Sequence, residues 1–172
     1  DGLTIHGRTV KELYQTPVHP DRVRLAVETM DCPVIANGNV VDVSTGLAYM
    51  AKTRAAGLMV GRGAIRNPWI FSQLSAAFEG REPFMPSHRD LLEYVTELYH
   101  ELAGESRKFI PNAHVQRMKK TLAYISHGLE GTFEYDMRRA RTPEDFFGTC
   151  GKHLDHDTPL PALPPADSKL FC

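Results

Sequence analysis

The sequence predicts an α/β fold over residues 1–80 and an all-α fold after them. Three observations carry this. Short apolar runs near residues 3–5, 32–36 and 57–60 alternate with helix-like stretches. A polar segment containing Pro83 and Pro86 follows them. Beyond it, apolar residues recur at steps of three and four with no strand pattern.

Taken in order, Leu3-Thr4-Ile5 is a short strand whose polar end, His6-Gly7-Arg8-Thr9, opens into a loop. A helix follows near Pro20, because proline at the first helical position loses no needed N–H. Val23, Ala26, Val27 and Met30 share one face of it. Cys32-Pro33-Val34-Ile35-Ala36 reads as a buried strand running into Asn37-Gly38-Asn39. Ser44 is placed to cap a second helix carrying Leu47, Met50 and Ala51. Gly57-Leu58-Met59-Val60 is a third strand, running into Gly61-Arg62-Gly63, and a helix with Trp69, Ile70, Leu74 and Phe78 closes this part.

Strands that read as continuous apolar runs and alternate with helices belong to a parallel sheet covered by those helices. His6 and Asn37 are 31 positions apart, Asn37 and Gly61 are 24. A (β/α)₈ barrel allots about 31 residues to each βα unit. A doubly wound open sheet suits the spacing equally well. Spacing alone does not choose.

A domain boundary falls in the polar segment, giving residues 1–80 and 81–156 as separate domains. Ser87 with Asp90 forms a capping-box start to a helix burying Leu91, Leu92, Val95, Leu98, Tyr99 and Leu102. A second helix carries Val115, Met118, Leu122, Ile125 and Leu129, the stripe of a bundle helix. A third starts at Thr142-Pro143-Glu144. Residues 157–172, with four prolines at 159, 161, 164 and 165, are expected to form a disordered tail.

A 42% apolar, 24% charged composition is that of a soluble globular protein, and a net charge of -1 gives no global sign of a nucleic-acid partner. No apolar run is long enough to span a bilayer, so no membrane partner is expected. The start lacks a charged leader segment and is not Met, so the chain is expected to begin partway through a longer product. Cys32, Cys150 and Cys172 form no paired motif, which fits a reducing cytoplasm and argues against a disulfide scaffold or a metal site.

The chemistry is in the glycines. Asn37-Gly38-Asn39 and Gly61-Arg62-Gly63 each follow a buried strand, where glycine lets backbone N–H groups approach an anion and a following helix N-terminus adds a favourable dipole. Arg62 supplies a guanidinium fork suited to phosphate. The competing reading is two ordinary tight turns beside a solvated arginine. Repetition of the arrangement in consecutive units favours the phosphate.

Charge is also unevenly spread. Between Arg107 and Leu129 there is no Asp or Glu, while Arg107, Lys108, Arg117, Lys119 and Lys120 lie within it and Arg138, Arg139 and Arg141 follow. Arg117, Lys120, Tyr124 and His127 fall on the helix face opposite the apolar stripe. Clustered cations with an aromatic among them suit RNA backbone contact and base stacking, against the alternative of a solvated helix face.

Together, His6-Gly7-Arg8-Thr9, Pro33-Val34-Ile35-Ala36-Asn37-Gly38-Asn39 and Leu58-Met59-Val60-Gly61-Arg62-Gly63-Ala64 with Asn67-Pro68-Trp69 resemble strands six to eight of the tRNA-dihydrouridine synthases. His114-Val115-Gln116-Arg117-Met118-Lys119-Lys120 is similar to that family's helical domain. The resemblance implies the last strands and helices of an FMN-binding (β/α)₈ TIM barrel over 1–80, followed by an all-α helical bundle that binds tRNA over 81–156. It implies a flavoprotein that reduces uridine in tRNA, with NADPH re-reducing the flavin. His6 would lie against FMN, and Asn37, Gly38, Gly61 and Arg62 would hold its phosphate. Asn39 stands beside them, where members commonly carry Asp. Arg8, Arg117, Lys119, Lys120, Tyr124, Arg138 and Arg139 would meet the RNA. The family's acid is a cysteine in an Asn-x-x-Gly-Cys-Pro-like loop, and no cysteine here has that context. No catalytic residue is therefore assigned, and the chain alone is expected to be inactive. A non-catalytic RNA-binding module derived from the family and another FMN barrel oxidoreductase are the alternatives. Three strands cannot close a barrel. A second copy of the chain or a missing N-terminal half is expected to cover the open edges.

Overall fold

A computed structural model of the chain describes residues 1–12, 16–105, 108–129 and 131–165. Arg107 and Cys172, both singled out above, lie outside the described residues. The fold is α/β, with one small parallel sheet and, among the described residues, eight α-helices. The chain divides into two compact units: Asp1–Phe84, joined by residues 163–165, and Met85–Ala162.

In unit 1 three strands, β1 (Leu3–His6), β2 (Val34–Asn37) and β3 (Gly57–Met59), pair in parallel in the order β1-β2-β3. Helices α1 (Pro20–Thr29), α2 (Val43–Thr53), α3 (Arg62–Arg66) and α4 (Ile70–Phe78) follow them along the chain. The alternation of side chains gives the sheet two unlike faces. Val34 and Ala36 are buried in a core with Val23 of α1, Tyr49 of α2 and Ile70 and Leu74 of α4, and Ile5 and Leu58 pack against it. Thr4, His6 and Met59, which point to the opposite face, are exposed.

Several helix readings shift. Met30 ends α1 as its C-cap and is 46% exposed. The cap of α2 is Asp42, not Ser44. Its carboxylate accepts from Thr45 N at 2.8 Å while Asp42 N donates to Thr45 Oγ1 at 3.1 Å. The buried residues of α2 are Gly46, Tyr49 and Thr53, while Leu47 and Ala51 are exposed. The helix read around Ile70, Leu74 and Phe78 forms as α4 with Trp69 as its N-cap, and the short α3, not read from the sequence, precedes it.

Unit 2 contains α5 (His88–Gly104), α6 (Pro111–Ile125), α7 (Phe133–Arg139) and α8 (Pro143–Leu154). The capping box read at Ser87/Asp90 forms, and Thr142 begins α8 as its N-cap, closing a second box with Asp145 that was not read from the sequence. Leu91, Val95 and Tyr99 of α5 pack with Val115, Met118, Leu122 and Ile125 of α6 and Phe146 and Cys150 of α8 in the buried set. Helix α7 was not legible from periodicity. It has seven residues and buries only Phe133 and Met137. In place of the disorder its prolines suggest, the segment 156–160 is tied to the start of α5. His88 N donates to Thr158 O and Arg89 N to His156 O (both 3.0 Å), and Leu160 N donates to Pro86 O at 2.8 Å. Leu160 is buried, which gives the strap its apolar anchor.

Candidate functional site

Parallel pairing puts the C-terminal ends of all three strands on one rim. The register makes this concrete, since His6 pairs with Asn37 and Asn37 with Met59. The loops leaving these residues enclose a cleft of ≈140 Å³ lined by His6, Arg8, Gly38, Asn39, Gly61 and Arg62, together with Asn37 and Gly63. All six residues assigned to a cofactor from the sequence therefore come together, and Arg8, assigned to RNA, joins them.

Asn37 is the joint of the rim. Its Nδ2 donates to Met59 O at 2.7 Å, tying β2 to β3. Its carbonyl accepts from Gly7 N at 3.0 Å and from the Tyr49 hydroxyl at 3.3 Å. Arg8 is held across the next loop, donating through Nη1 to Asn39 Oδ1 at 3.2 Å and through Nε to Thr16 O at 2.5 Å.

Two glycines are required here for different reasons. Gly38 has φ 144°, a backbone region that side chains rarely adopt, and a Cβ on it would lie 2.6 Å from Val18 Cγ1. A Cβ on Gly63 would lie 2.2 Å from the Val40 carbonyl oxygen, so the third loop can seat against the second only through glycine. Over Gly61 the space is open, with nothing within 4 Å of where a Cβ would stand. Gly63 and Tyr49 were not among the sequence candidates. The Gly-x-Gly spacing was a signal for the first. The second has none in sequence, because its hydroxyl reaches Asn37 only through folding.

The electrostatics of the cleft are one-sided. Partial burial, then the charges of Arg8 and Arg62, push the His6 pKa below its ordinary value. The field that resists a proton on His6 is a field that attracts an anion. The expected dipole contribution from α2 is withdrawn, because the Asp42 carboxylate already accepts from its first turn. An anion here would be held by Arg62, Arg8 and loop backbone.

The remaining candidates are in unit 2. Arg117 and Lys120 are exposed on α6, and Tyr124 is half-buried. Lys119 is committed to structure: its Nζ donates to Arg138 O at 2.6 Å and to Ala140 O at 2.8 Å, closing the end of α7. Burial, then Arg141, lowers its pKa. Arg138 pairs with Glu134, and Arg139 lies 3.4 Å over the Tyr135 ring. Sequence alone gave these three cations a uniform role. Their folded partners differ.

Neither described cysteine reaches the cleft rim. Cys32 precedes β2 at its entry end, five residues and roughly 16 Å of extended chain from Asn37. Cys150 is buried in α8 of unit 2, and burial pushes its thiol up to about 12. Among the described residues no group of three or more His, Cys, Asp or Glu is placed to hold a metal ion, and no helix is long and apolar enough to cross a membrane.

Comparison with known proteins gives a consistent result. The family model described as dihydrouridine synthase (Dus) matches residues 1–154. A probable tRNA-dihydrouridine synthase of Rickettsia conorii is 34% identical over 137 residues, covering 77% of this chain and 40% of that protein. The tRNA-dihydrouridine synthase B of Pectobacterium carotovorum is 34% identical over 119 residues, 66% of this chain and 37% of its own. A probable tRNA-dihydrouridine synthase of Mycobacterium leprae is 32% identical over 128 residues, 73% and 33% of the two chains. The chain thus spans about two fifths of the length of the curated relatives it matches.

Proposed function

This chain belongs to the dihydrouridine synthase family, and from that premise we propose that it is the C-terminal part of a cytoplasmic, FMN-dependent tRNA-dihydrouridine synthase. In this reading unit 1 supplies the last βα units of a (β/α)₈ barrel, and unit 2 is the helical tRNA-binding domain. A second copy of the chain or an N-terminal half would pair with the open edges of β1 and β3 and cover the face bearing Thr4, His6 and Met59.

The observation that carries the reading is the convergence of His6, Arg8, Gly38, Asn39, Gly61 and Arg62 at the C-terminal ends of parallel strands. That rim is where barrels of this kind hold phosphate. The donor set fits a flavin's phosphate. Two arginines line the cleft, the space over Gly61 is open, and among the described residues no carboxylate lines it. Arg62 would fork onto the phosphate, backbone of the Gly38 and Gly61 loops would approach it closely, and Arg8, steadied by Asn39, would add charge at the rim. His6, whose pKa is lowered by partial burial and then by the two arginines, would present a hydrogen-bonding imidazole to the ring system. FMN held there would supply hydride-transfer chemistry to a uracil, with NADPH as its reductant.

The acid that completes the reduction is not assigned to this chain, since Cys32 is remote from the rim and Cys150 is sealed in unit 2. That supports activity only in a longer or paired assembly. In unit 2 the phosphate contacts are assigned first to Arg117 and Lys120, which are exposed on α6, while the Lys119 ammonium is committed to the carbonyls of Arg138 and Ala140.

The test is flavin and tRNA binding by the full chain. FMN fluorescence should be quenched on binding, and Arg62→Ala should weaken affinity about 10- to 100-fold, the cost of a charged hydrogen-bonding partner. Unchanged affinity in that variant would remove the phosphate cradle. In a gel shift, Arg117→Glu with Lys120→Glu and rising salt should each weaken tRNA binding. Indifference to both would remove the RNA assignment.

A further inference from the structure

A cavity of ≈360 Å³ in unit 2 plays no part in the sites described above. Three histidines, His88, His153 and His156, line it with Leu129, Phe133 and Pro159. Its volume lies at the low end of the range, about 300–1,000 Å³, of pockets that enclose small organic ligands.

One nitrogen of each imidazole is already committed. His88 Nδ1 lies 2.8 Å from Thr158 O and His156 Nε2 lies 3.0 Å from His153 O. A carbonyl only accepts, so both of these nitrogens carry the hydrogen. His153 Nε2 meets Asp136 Oδ2 at 2.8 Å and donates to that carboxylate, which Lys152 also holds ionised at 2.9 Å. The ring nitrogens left over from these contacts are His88 Nε2, His156 Nδ1 and His153 Nδ1. An imidazole with no proton there offers a ligand a hydrogen-bond acceptor at that atom.

Three classes of ligand can be weighed against this. A metal ion is disfavoured, because among the described residues no such group is arranged to hold one. A phosphate is disfavoured by the carboxylates nearby: Asp136 on His153, and Asp155 and Asp157, which flank His156 and pair with Arg89. A neutral, flat heterocycle bearing N–H groups satisfies the acceptors and finds ring faces to stack on. His88 and His156 already stack at 4.3 Å, and Phe133 packs edge-on to His153 at 5.7 Å. Histidine is among the side chains on which unpaired bases stack. Two lining residues, Gly128 and Leu129, also end the acid-free stretch 107–129, so the cavity continues the segment on which an RNA backbone would run.

We infer that this cavity receives a nucleobase from a single-stranded part of the tRNA, one with exposed N–H donors and separate from the base reduced at the flavin. The inference rests on unit 2 as the tRNA-binding part.

The full chain would be titrated with an unmodified tRNA transcript and, separately, with cytidine 5′-monophosphate, following the imidazole Cε1–H resonances. Those of His88, His153 and His156 should shift and saturate with both. Leu129→Trp fills the cavity from its wall, and His156→Ala removes an exposed ring that the core does not need. Each should weaken tRNA binding about tenfold, the scale of one stacked base. Wild-type affinity in both variants, with no histidine shift, overturns the cavity even if Lys120→Glu abolishes binding, and the RNA reading then survives. Failure of the unaltered chain to bind tRNA at low salt overturns both.

Discussion

The two units are stabilised by different kinds of contact. Unit 2 closes on itself: Phe133, Phe146, Met118 and Leu122 are fully buried, and its helices α5 and α8 start with complete capping boxes. Unit 1 buries one face of its sheet behind α1, α2 and α4 and exposes Thr4, His6 and Met59 on the other. Its cleft is shaped by backbone closeness, through Gly38 and Gly63, more than by packed side chains. The difference teaches that a self-contained core can be destabilised without touching a ligand. A site built on loop-to-loop fit loses stability and binding together.

The largest effect should come from the core of unit 2. Phe146→Ala, at a fully buried ring between α8 and Tyr99, should cost ~3–5 kcal/mol. Amide hydrogen exchange should show the loss in unit 2 while FMN affinity holds. If FMN affinity falls equally, the two units do not behave independently and the contrast drawn here fails. Gly63→Ala should cost about 1–3 kcal/mol, because the new methyl meets the Val40 carbonyl, a backbone group with no rotamer to change. Here FMN binding should fall with stability. Retained binding would mean the second and third loops need not touch to form the cradle.

The smallest effect is local and pH-dependent. Glu12 accepts from Thr9 N and Thr9 Oγ1, both at 2.7 Å, and meets His19 Nε2 at 2.6 Å. The His19 and Thr9 hydrogen bonds hold its carboxyl down to about 2. A carboxyl depressed in the folded state contributes fully above its ordinary range, and that contribution fades as pH falls toward 2. Protection factors of the amides at 7–12, corrected for the intrinsic pH dependence of exchange, should therefore fall between about pH 4 and pH 2, while those of α6 do not change over the same interval. Glu12→Gln should abolish the pH dependence. If the same fall persists in that variant, Glu12 is not what pins the loop.

Much of the fold was legible where the determining contacts are close in sequence. Ser87 and Asp90 lie within one helical turn, so their capping could be read before the fold was known, as could the start of α8 at Thr142. The same locality misled at α2. Ser44 looked like a cap, while Asp42 with Thr45 made the reciprocal pair and started the helix two residues earlier. Lys119 shows the converse. In sequence it is one more cation in a basic stretch. Folded, it is bound to carbonyls about twenty positions away.

By itself the sequence determined the order of the three strands and of the longer helices, the glycine-rich strand ends, the acid-free basic stretch and the family. Each of these rests on residue type and short-range spacing, which chain connectivity preserves. Only the tertiary structure decided that Arg8 joins Asn39 across 31 positions, that Gly63 is required by the Val40 carbonyl, and that three histidines from the two ends of unit 2 share one cavity. Such contacts are set by strand register and helix packing, which bring distant residues within hydrogen-bonding range only after the core has closed.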